Sequence, residues 1–345
     1  IVHFQAKRLG LKGVPESEIP KLWAVLKRGW PTALPLVVLV YVLFSGYSPH
    51  MAAFWGITSA LAVGFLNPMH KISLRDVIDA ALTGVKYALA VGAVCAAIGI
   101  VVGVVNSTGL GFRLGFLVAN GAGAIAEFLL GMLSWIPLFD LTLEGLTLFI
   151  SLVLIAMTCI MMGAGLPTTA LYIMLATVAQ PALGALGVPP LASHLFVLYY
   201  GVISEITPPV CASAYAAAGI AGANPFRTGC SAFTLGIGKL LVPMVFVYSP
   251  AMLIVLPEYF TWGAFLETTL SCALGVAMMA TAVSAYFVAP MGWPVRILIG
   301  IAALFMVAPG ATSDLYAAIL ALPVAIQQVM AYRRMQAEKI DAPAT

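Results

Sequence analysis

At Thr207-Pro208-Pro209 an apolar run, Leu191–Ser204, reaches a point where it cannot continue as a helix. Each proline lacks a backbone N–H, and its ring collides with the carbonyl four residues back. The sequence on both sides is strongly apolar, so the break falls inside a membrane segment. Freed backbone groups cost several kcal/mol each in lipid unless protein or a water-lined cavity receives them. At about 1.5 Å per residue the run before the break covers roughly 21 Å, short of the ~30 Å hydrocarbon core. A second interruption of the same kind stands upstream, at Gly163-Ala164-Gly165-Leu166-Pro167-Thr168-Thr169. The separation of the two suits a helix arm, a return and a half-helix, so both tips are expected to meet near the midplane. Paired interruptions in adjacent apolar segments point to an ion or substrate site of a secondary transporter.

The rest of the chain supports a membrane setting. Of 345 residues, 62% are hydrophobic and 8% charged, against about 25% charged in soluble domains. Apolar runs of about 20 residues recur without the alternating pattern of a barrel. The fold class read from this is an all-α, polytopic transmembrane helical protein. Expected runs are 31–47, 51–66, 87–105, 112–135, 138–162, 170–186, 191–204, 210–221, 226–248, 261–288, 295–307 and a weaker 315–331. An amphipathic interfacial helix is expected over 73–88, and a turn at 106–111. No further chemistry is read in the C-terminal spans.

Charge sets the expected orientation. Residues 1–30 form a basic linker carrying Lys7, Arg8, Lys12, Lys21, Lys27 and Arg28 against Glu16 and Glu18. Lys71 with Arg75, and Arg333, Arg334 and Lys339 near the end, add further basic groups. Lys and Arg mark cytoplasmic loops, so both termini, including a tail at 332–345, are expected in the cytoplasm. The start at Ile1 reads as the beginning of a fragment.

The breaks themselves suggest chemistry. Thr is a good N-cap and Pro is favoured at the first helical position, so a second half-helix is expected to start at Pro208 beneath Thr207. The first half-helix would end near Ser204 with unpaired carbonyls, the negative end of its dipole. Carbonyls and a Thr hydroxyl form a hard-oxygen environment suited to Na⁺. On the other side, Gly163 and Gly165 permit unusual backbone angles, and Thr168 and Thr169 supply hydroxyls. Glu205 lies in the break; an acidic residue at membrane depth is a functional candidate. It could neutralise Na⁺, carry a proton or cap backbone N–H groups.

Several segments together resemble a known family: Gly-x-Gly-Leu-Pro-Thr-Thr-Ala-x-Tyr (163–172), Pro181-Ala182-Leu183, Ser193-His194-Leu195-Phe196, Ser204-Glu205-Ile206-Thr207-Pro208-Pro209-Val210, and Ala217-Ala218-Gly219-Ile220-Ala221-Gly222. They are similar to the large membrane subunit of tripartite ATP-independent periplasmic (TRAP) transporters, closest to the fused permeases that work with TAXI-type binding proteins. The resemblance covers roughly residues 1–255. It implies two inverted repeats, each with a re-entrant hairpin and a discontinuous helix, and Na⁺-coupled uptake of small organic acids through the bacterial or archaeal inner membrane. It implies a periplasmic TAXI-type substrate-binding protein as partner. Carried over, 31–255 is the second-repeat domain, with the hairpin at about 145–187 and the broken helix at about 191–222. Residues 256–331 are additional C-terminal helices. The first repeat and the small-subunit helices are expected as partners lying outside this chain. Gly163, Gly165, Pro167, Thr168 and Thr169 would form one side of the ion and substrate site, and Ser204, Glu205, Thr207 and Pro208 the other. Na⁺ would sit among Thr168, Thr169, Ser204 and Thr207.

Other readings are weaker. Two alternatives are a Na⁺/dicarboxylate-type symporter needing no binding protein, and a membrane structural or assembly subunit without a solute. No Ser/His/Asp set, phosphate loop or carboxylate pair points to an enzyme, and no cofactor is expected. The four histidines and five cysteines show no metal spacing, and His194 reads as a buried, hydrogen-bonded residue. The basic N-terminus reads as a topology signal, with no nucleic-acid partner. Glu127 is expected to face a bundle interior or cavity, and Asp140 and Glu144 a solvated helix end.

Overall fold

The computed structural model describes all residues except 12, 14, 16, 17, 67–71, 134–141, 164, 167, 210, 309 and 342–345. The described residues form helices and turns, with no strand among them. In chain order the helices are α1 (Val2–Leu9), α2 (Leu22–Phe44), α3 (Pro49–Leu66), α4 (Leu74–Thr108), α5 (Leu110–Leu133), α6 (Leu143–Met162) and α7 (Thr168–Ala185). They continue as α8 (Pro190–Ser204), α9 (Ala212–Ala221), α10 (Pro225–Gly236), α11 (Leu241–Tyr248), α12 (Trp262–Ser284), α13 (Trp293–Val307) and α14 (Ala311–Asp341). Seven helical stretches among the described residues are long and apolar enough to cross a bilayer. This is an all-α polytopic membrane protein.

The chain divides into two compact units, Lys12–Ala93 and Ile1–Leu11 with Val94–Thr345. In the first, α2 and α3 form a helical hairpin. It closes tightly at Gly56, where an added Cβ would come within 3.3 Å of Leu39. The expected interfacial helix at 73–88 is not a separate element. It is the first part of α4, because nothing between Leu74 and Thr108 stops propagation once the helix is nucleated. Its start is a reciprocal cap: Asp76 N donates to Ser73 Oγ (3.2 Å), and Ser73 N donates to Asp76 Oδ2 (2.8 Å).

In the second unit the expected turn at 106–111 shrinks to Gly109, whose φ of 64° only glycine adopts cheaply. The core lies between α6, α7, α8 and α11. Leu152, Ile155 and Cys159 of α6 meet Leu171, Leu175 and Leu183 of α7. Phe196, Val197 and Tyr200 of α8 and Phe246 of α11 complete it. Gly201 lets α8 close on α7, since a Cβ there would stand 3.2 Å from Leu175 and 3.3 Å from Leu171. The expected span over 226–248 contains a 3₁₀ turn at Ile237–Leu240. The Tyr200 hydroxyl donates to the Leu240 carbonyl there at 2.6 Å, which satisfies both polar groups inside the core.

Residues 1–30, read as a linker, are partly structured: α2 begins at Leu22, and α1 lies along α12. Phe4 meets Phe287 edge-on at 5.7 Å. The Arg8 guanidinium donates to the Ser284 carbonyl at 3.2 Å. Arg296 Nε donates to the Ala282 carbonyl at 2.9 Å, and its guanidinium lies 5.1 Å from the Trp293 ring centre. Two arginines thus occupy carbonyls at the C-terminal end of α12, where cations are favoured. α14 continues past the expected end of its span to Asp341.

Candidate functional site

α6 ends at Met162 and α7 begins at Thr168, with Gly163, Gly165 and Leu166 described between them. Gly163, the C-cap of α6, has an ordinary helical φ of −74°. It is buried, and an added Cβ would run into the Ser204 side chain. Glycine is needed there for close approach, which corrects the expectation of an unusual backbone angle. Gly165 does have one, with φ of 84°. Thr168 and Thr169 are the first two residues of α7, both exposed. Pro167, expected to start this helix, lies outside the described residues.

Opposite this turn, α8 ends at the fully buried Ser204. The chain then runs through Glu205–Cys211 before α9. This longer break departs from the expected geometry. Pro208 does not open α9, which starts at Ala212 with Cys211 as N-cap. Thr207 does not cap α9 either: its hydroxyl turns back and donates to Ile203 O at 2.8 Å. Nor are the last carbonyls of α8 unpaired. Those of Val202, Ile203 and Ser204 accept from the N–H groups of Glu205, Ile206 and Thr207, and Gly201 O accepts from Ser204 Oγ. The end of α8 tightens into 3₁₀-type bonds that use its own next residues. The Ile203 carbonyl thus accepts twice, from Ile206 N–H and from the Thr207 hydroxyl, while each donating hydroxyl keeps its acceptor side.

The break is seated on α10. Gly229 makes room for Cys211 and Tyr215, and Gly236, seven residues on, for Ile206. Pro208 also faces Gly229, 3.7 Å from the position of an added Cβ. The Tyr215 hydroxyl donates to Pro209 O, which braces the segment around the cis peptide between Pro208 and Pro209.

The two breaks meet. Thr168 Oγ1, at the N-terminal end of α7, donates to Glu205 Oε1 at 2.6 Å. This short charge-assisted bond links residues 37 apart in sequence. The structure therefore brings together Gly163 with Ser204 and Thr168 with Glu205, while Thr207 and Pro208 turn toward Ile203 and α10. Glu205 is half-buried. It is the only acidic residue between Glu144 and Glu258, and no Lys or Arg occurs between Arg113 and Arg227. The C-terminal dipole of α8 adds to its negative potential, and the N-terminus of α7 offsets part of it.

Other candidates fall elsewhere. His194 is half-buried, and its Nδ1 shares a 3.0 Å hydrogen bond with the Tyr172 hydroxyl. Glu127 is exposed on α5, while its neighbour Ala126 is fully buried, so of the expected positions, bundle interior or cavity, this chain does not supply the interior one. Glu144 is exposed in the first turn of α6, beside the Thr142 cap. Asp140 lies outside the described residues. Sequence reasoning missed the roles of Gly201, Gly229, Gly236 and Tyr215; the seven-residue spacing of Gly229 and Gly236 on one helix face was the available signal.

A family model described as the tripartite ATP-independent periplasmic transporter, DctM component, matches residues 1–262. No curated protein and no solved structure matches. The matched region contains both breaks and ends at the first residue of α12.

Proposed function

This chain belongs to the DctM component family of tripartite ATP-independent periplasmic transporters, and from that premise we propose that it forms half of the transport site of a Na⁺-coupled, TAXI-type permease for small organic acids. The site is the meeting of the two breaks, with Gly163, Gly165, Pro167, Thr168 and Thr169 on one side and Ser204, Glu205, Thr207 and Pro208 on the other. The α6–α7 pair acts as a re-entrant hairpin, and α8 and α9 as halves of a discontinuous helix. The remaining transport elements, a first repeat and the small-subunit helices, come from outside this chain. A periplasmic binding protein delivers the substrate, which leaves on the cytoplasmic side of the inner membrane. Both termini face the cytoplasm, in keeping with the basic groups near them.

The observation that carries this reading is the Thr168–Glu205 hydrogen bond. It joins two elements that each interrupt a helix in an apolar setting, and it does so through a carboxylate with no basic residue nearby in sequence. Broken helices of this kind hold Na⁺ with unwound carbonyls and half-helix ends. The hydroxyls of Thr168, Thr169, Ser204 and Thr207 would supplement those carbonyls. A bare carboxylate repels an organic acid, so a cation that neutralises Glu205 raises substrate affinity. By linkage, substrate raises cation affinity by the same factor.

Thermal unfolding of the whole permease in detergent, in NaCl, KCl, LiCl or choline chloride, tests this. Na⁺ is expected to raise Tm above the other salts, and Glu205→Gln to remove that difference. An equal shift in all four salts overturns the Na⁺ reading. A Tm that follows pH through Glu205 with no Na⁺ term makes the proton the coupling ion instead.

A further inference from the structure

One side of α5 packs on α6 and α7, and the other carries polar groups that nothing among the described residues receives. On the packed side Ala122 and Ala126 are fully buried, and Val118 lies against the core. Helix positions seven apart fall about 20° from one another. Arg113, Asn120 and Glu127 follow at that spacing, so they form one stripe, on the side of α5 away from the buried alanines. All three are exposed. The stripe is flanked by apolar side chains that are exposed as well, Phe116 at 70% and Phe128 at 67%.

Two of the three polar groups sit at membrane depth. Asn120 and Glu127 fall inside the apolar stretch Phe116–Met132. Asn120 is near the middle of α5, and Glu127 is about 9 Å from its C-terminal end. Arg113, one turn from the N-terminal end, reaches the bilayer surface. It is about 21 Å from Glu127 along the axis, too far to pair with it. The Asn120 amide donates to Phe116 O at 2.9 Å, which leaves its side-chain oxygen as an acceptor.

The candidate occupants of this face differ in what they offer. Lipid tails cannot receive these groups, and an acidic side chain at membrane depth faces protein or water. A second copy in the same orientation fits no better: parallel packing along the stripe sets Glu127 against Glu127 and Arg113 against Arg113. What fits is a helix of complementary charge. We propose that this stripe docks a transmembrane helix from outside the chain, one that places a Lys or Arg opposite Glu127 and a hydrogen-bonding side chain opposite Asn120. Such polar contacts join helices within membranes, and small residues between them allow close approach. Ala124 and Gly131 supply these, both exposed and on the same line as the stripe. The chain is one component of a tripartite transporter, so helices of other components are at hand. The inference needs a membrane around α5 and makes no use of Glu205 or of a bound ion.

Photo-cross-linking of the whole transporter in membranes tests it. Ala124 is replaced by p-benzoylphenylalanine, the sample is irradiated, and adducts are mapped by mass spectrometry. The expected product is one peptide from outside this chain, with a Lys or Arg within one turn of the attachment point. Glu127→Leu in the same protein should lose most of that adduct, and Glu127→Lys combined with the partner's basic residue changed to Glu should restore it. A Tm equal to that of the parent shows that the label is tolerated; otherwise the exposed Phe128 takes the label instead. Adducts only to lipid, only to peptides of this chain, or to a peptide without a basic residue nearby overturn the proposal. So does the absence of any adduct, which makes the face a water-filled cavity, or an adduct unchanged by Glu127→Leu.

Discussion

The region from α6 to α11 and the region from α12 to α14 are both apolar helices, yet they handle their polar groups in opposite ways. In the first, helices stop inside the bundle. The freed backbone is received by neighbouring residues, by a hydroxyl that turns back and by a loop seated on Gly229 and Gly236. In the second, helices run unbroken, and the polar groups gather at their ends, where arginines cover the carbonyls of α12 and Asp314 at the start of α14 accepts from Ser271. An interrupted helix within an apolar bundle needs its freed backbone groups received by protein or water, and the contrast shows that only the first region carries that requirement.

The largest effect that would break this contrast is expected at Gly163. Gly163→Val pushes a side chain into Ser204 and should destabilise the permease by about 1–3 kcal/mol as overpacking, with loss of uptake. Ser204→Gly in the same chain should restore part of the Tm. A Gly163→Val protein with wild-type Tm and uptake would show that the two breaks do not pack as described. In the unbroken region Arg296→Leu removes a charged hydrogen bond to Ala282 O and the contact with Trp293. It should cost about 1.5–3 kcal/mol, lowering Tm while leaving Na⁺ dependence untouched. A change in ion dependence would mean that the two regions are coupled. The smallest expected effect is at Gly165, where Ala must adopt φ of 84°. Gly165→Ala should cost about 1–2 kcal/mol, seen as a modest Tm decrease with uptake retained in part.

The helices and both breaks were legible because proline and glycine act locally. A ring without an N–H stops a helix whatever surrounds it. The meeting of the breaks was also legible, from the length of α7 and α8 between them. What escaped was the use of each residue within a break. Thr207 ahead of proline has the sequence signature of an N-cap, but the tightened end of α8 offered its hydroxyl a nearer acceptor at Ile203. Gly163 and Gly165 look alike in sequence, and only the distance to Ser204 separates a steric need from a conformational one. Glu127 was expected at a bundle interior or cavity because of its cost in lipid, which does not say which of the two, and this chain leaves it exposed. The bond between Ser271 and Asp314 could not be read at all, because the two are brought together by the α12–α13–α14 path and belong to no local motif.

Tyr200 limits how this molecule can move. Its ring lies tilted against Phe196, centroids 4.7 Å apart, and its hydroxyl is bonded to Leu240 in the 3₁₀ turn before α11. Sliding α8 past α11 would tear that bond inside a dry core and leave two polar atoms stranded. Any rearrangement that keeps this bond therefore moves the end of α8, next to Glu205, together with the bent span behind it. Relative motion within the second unit is thus confined to contacts outside this cluster.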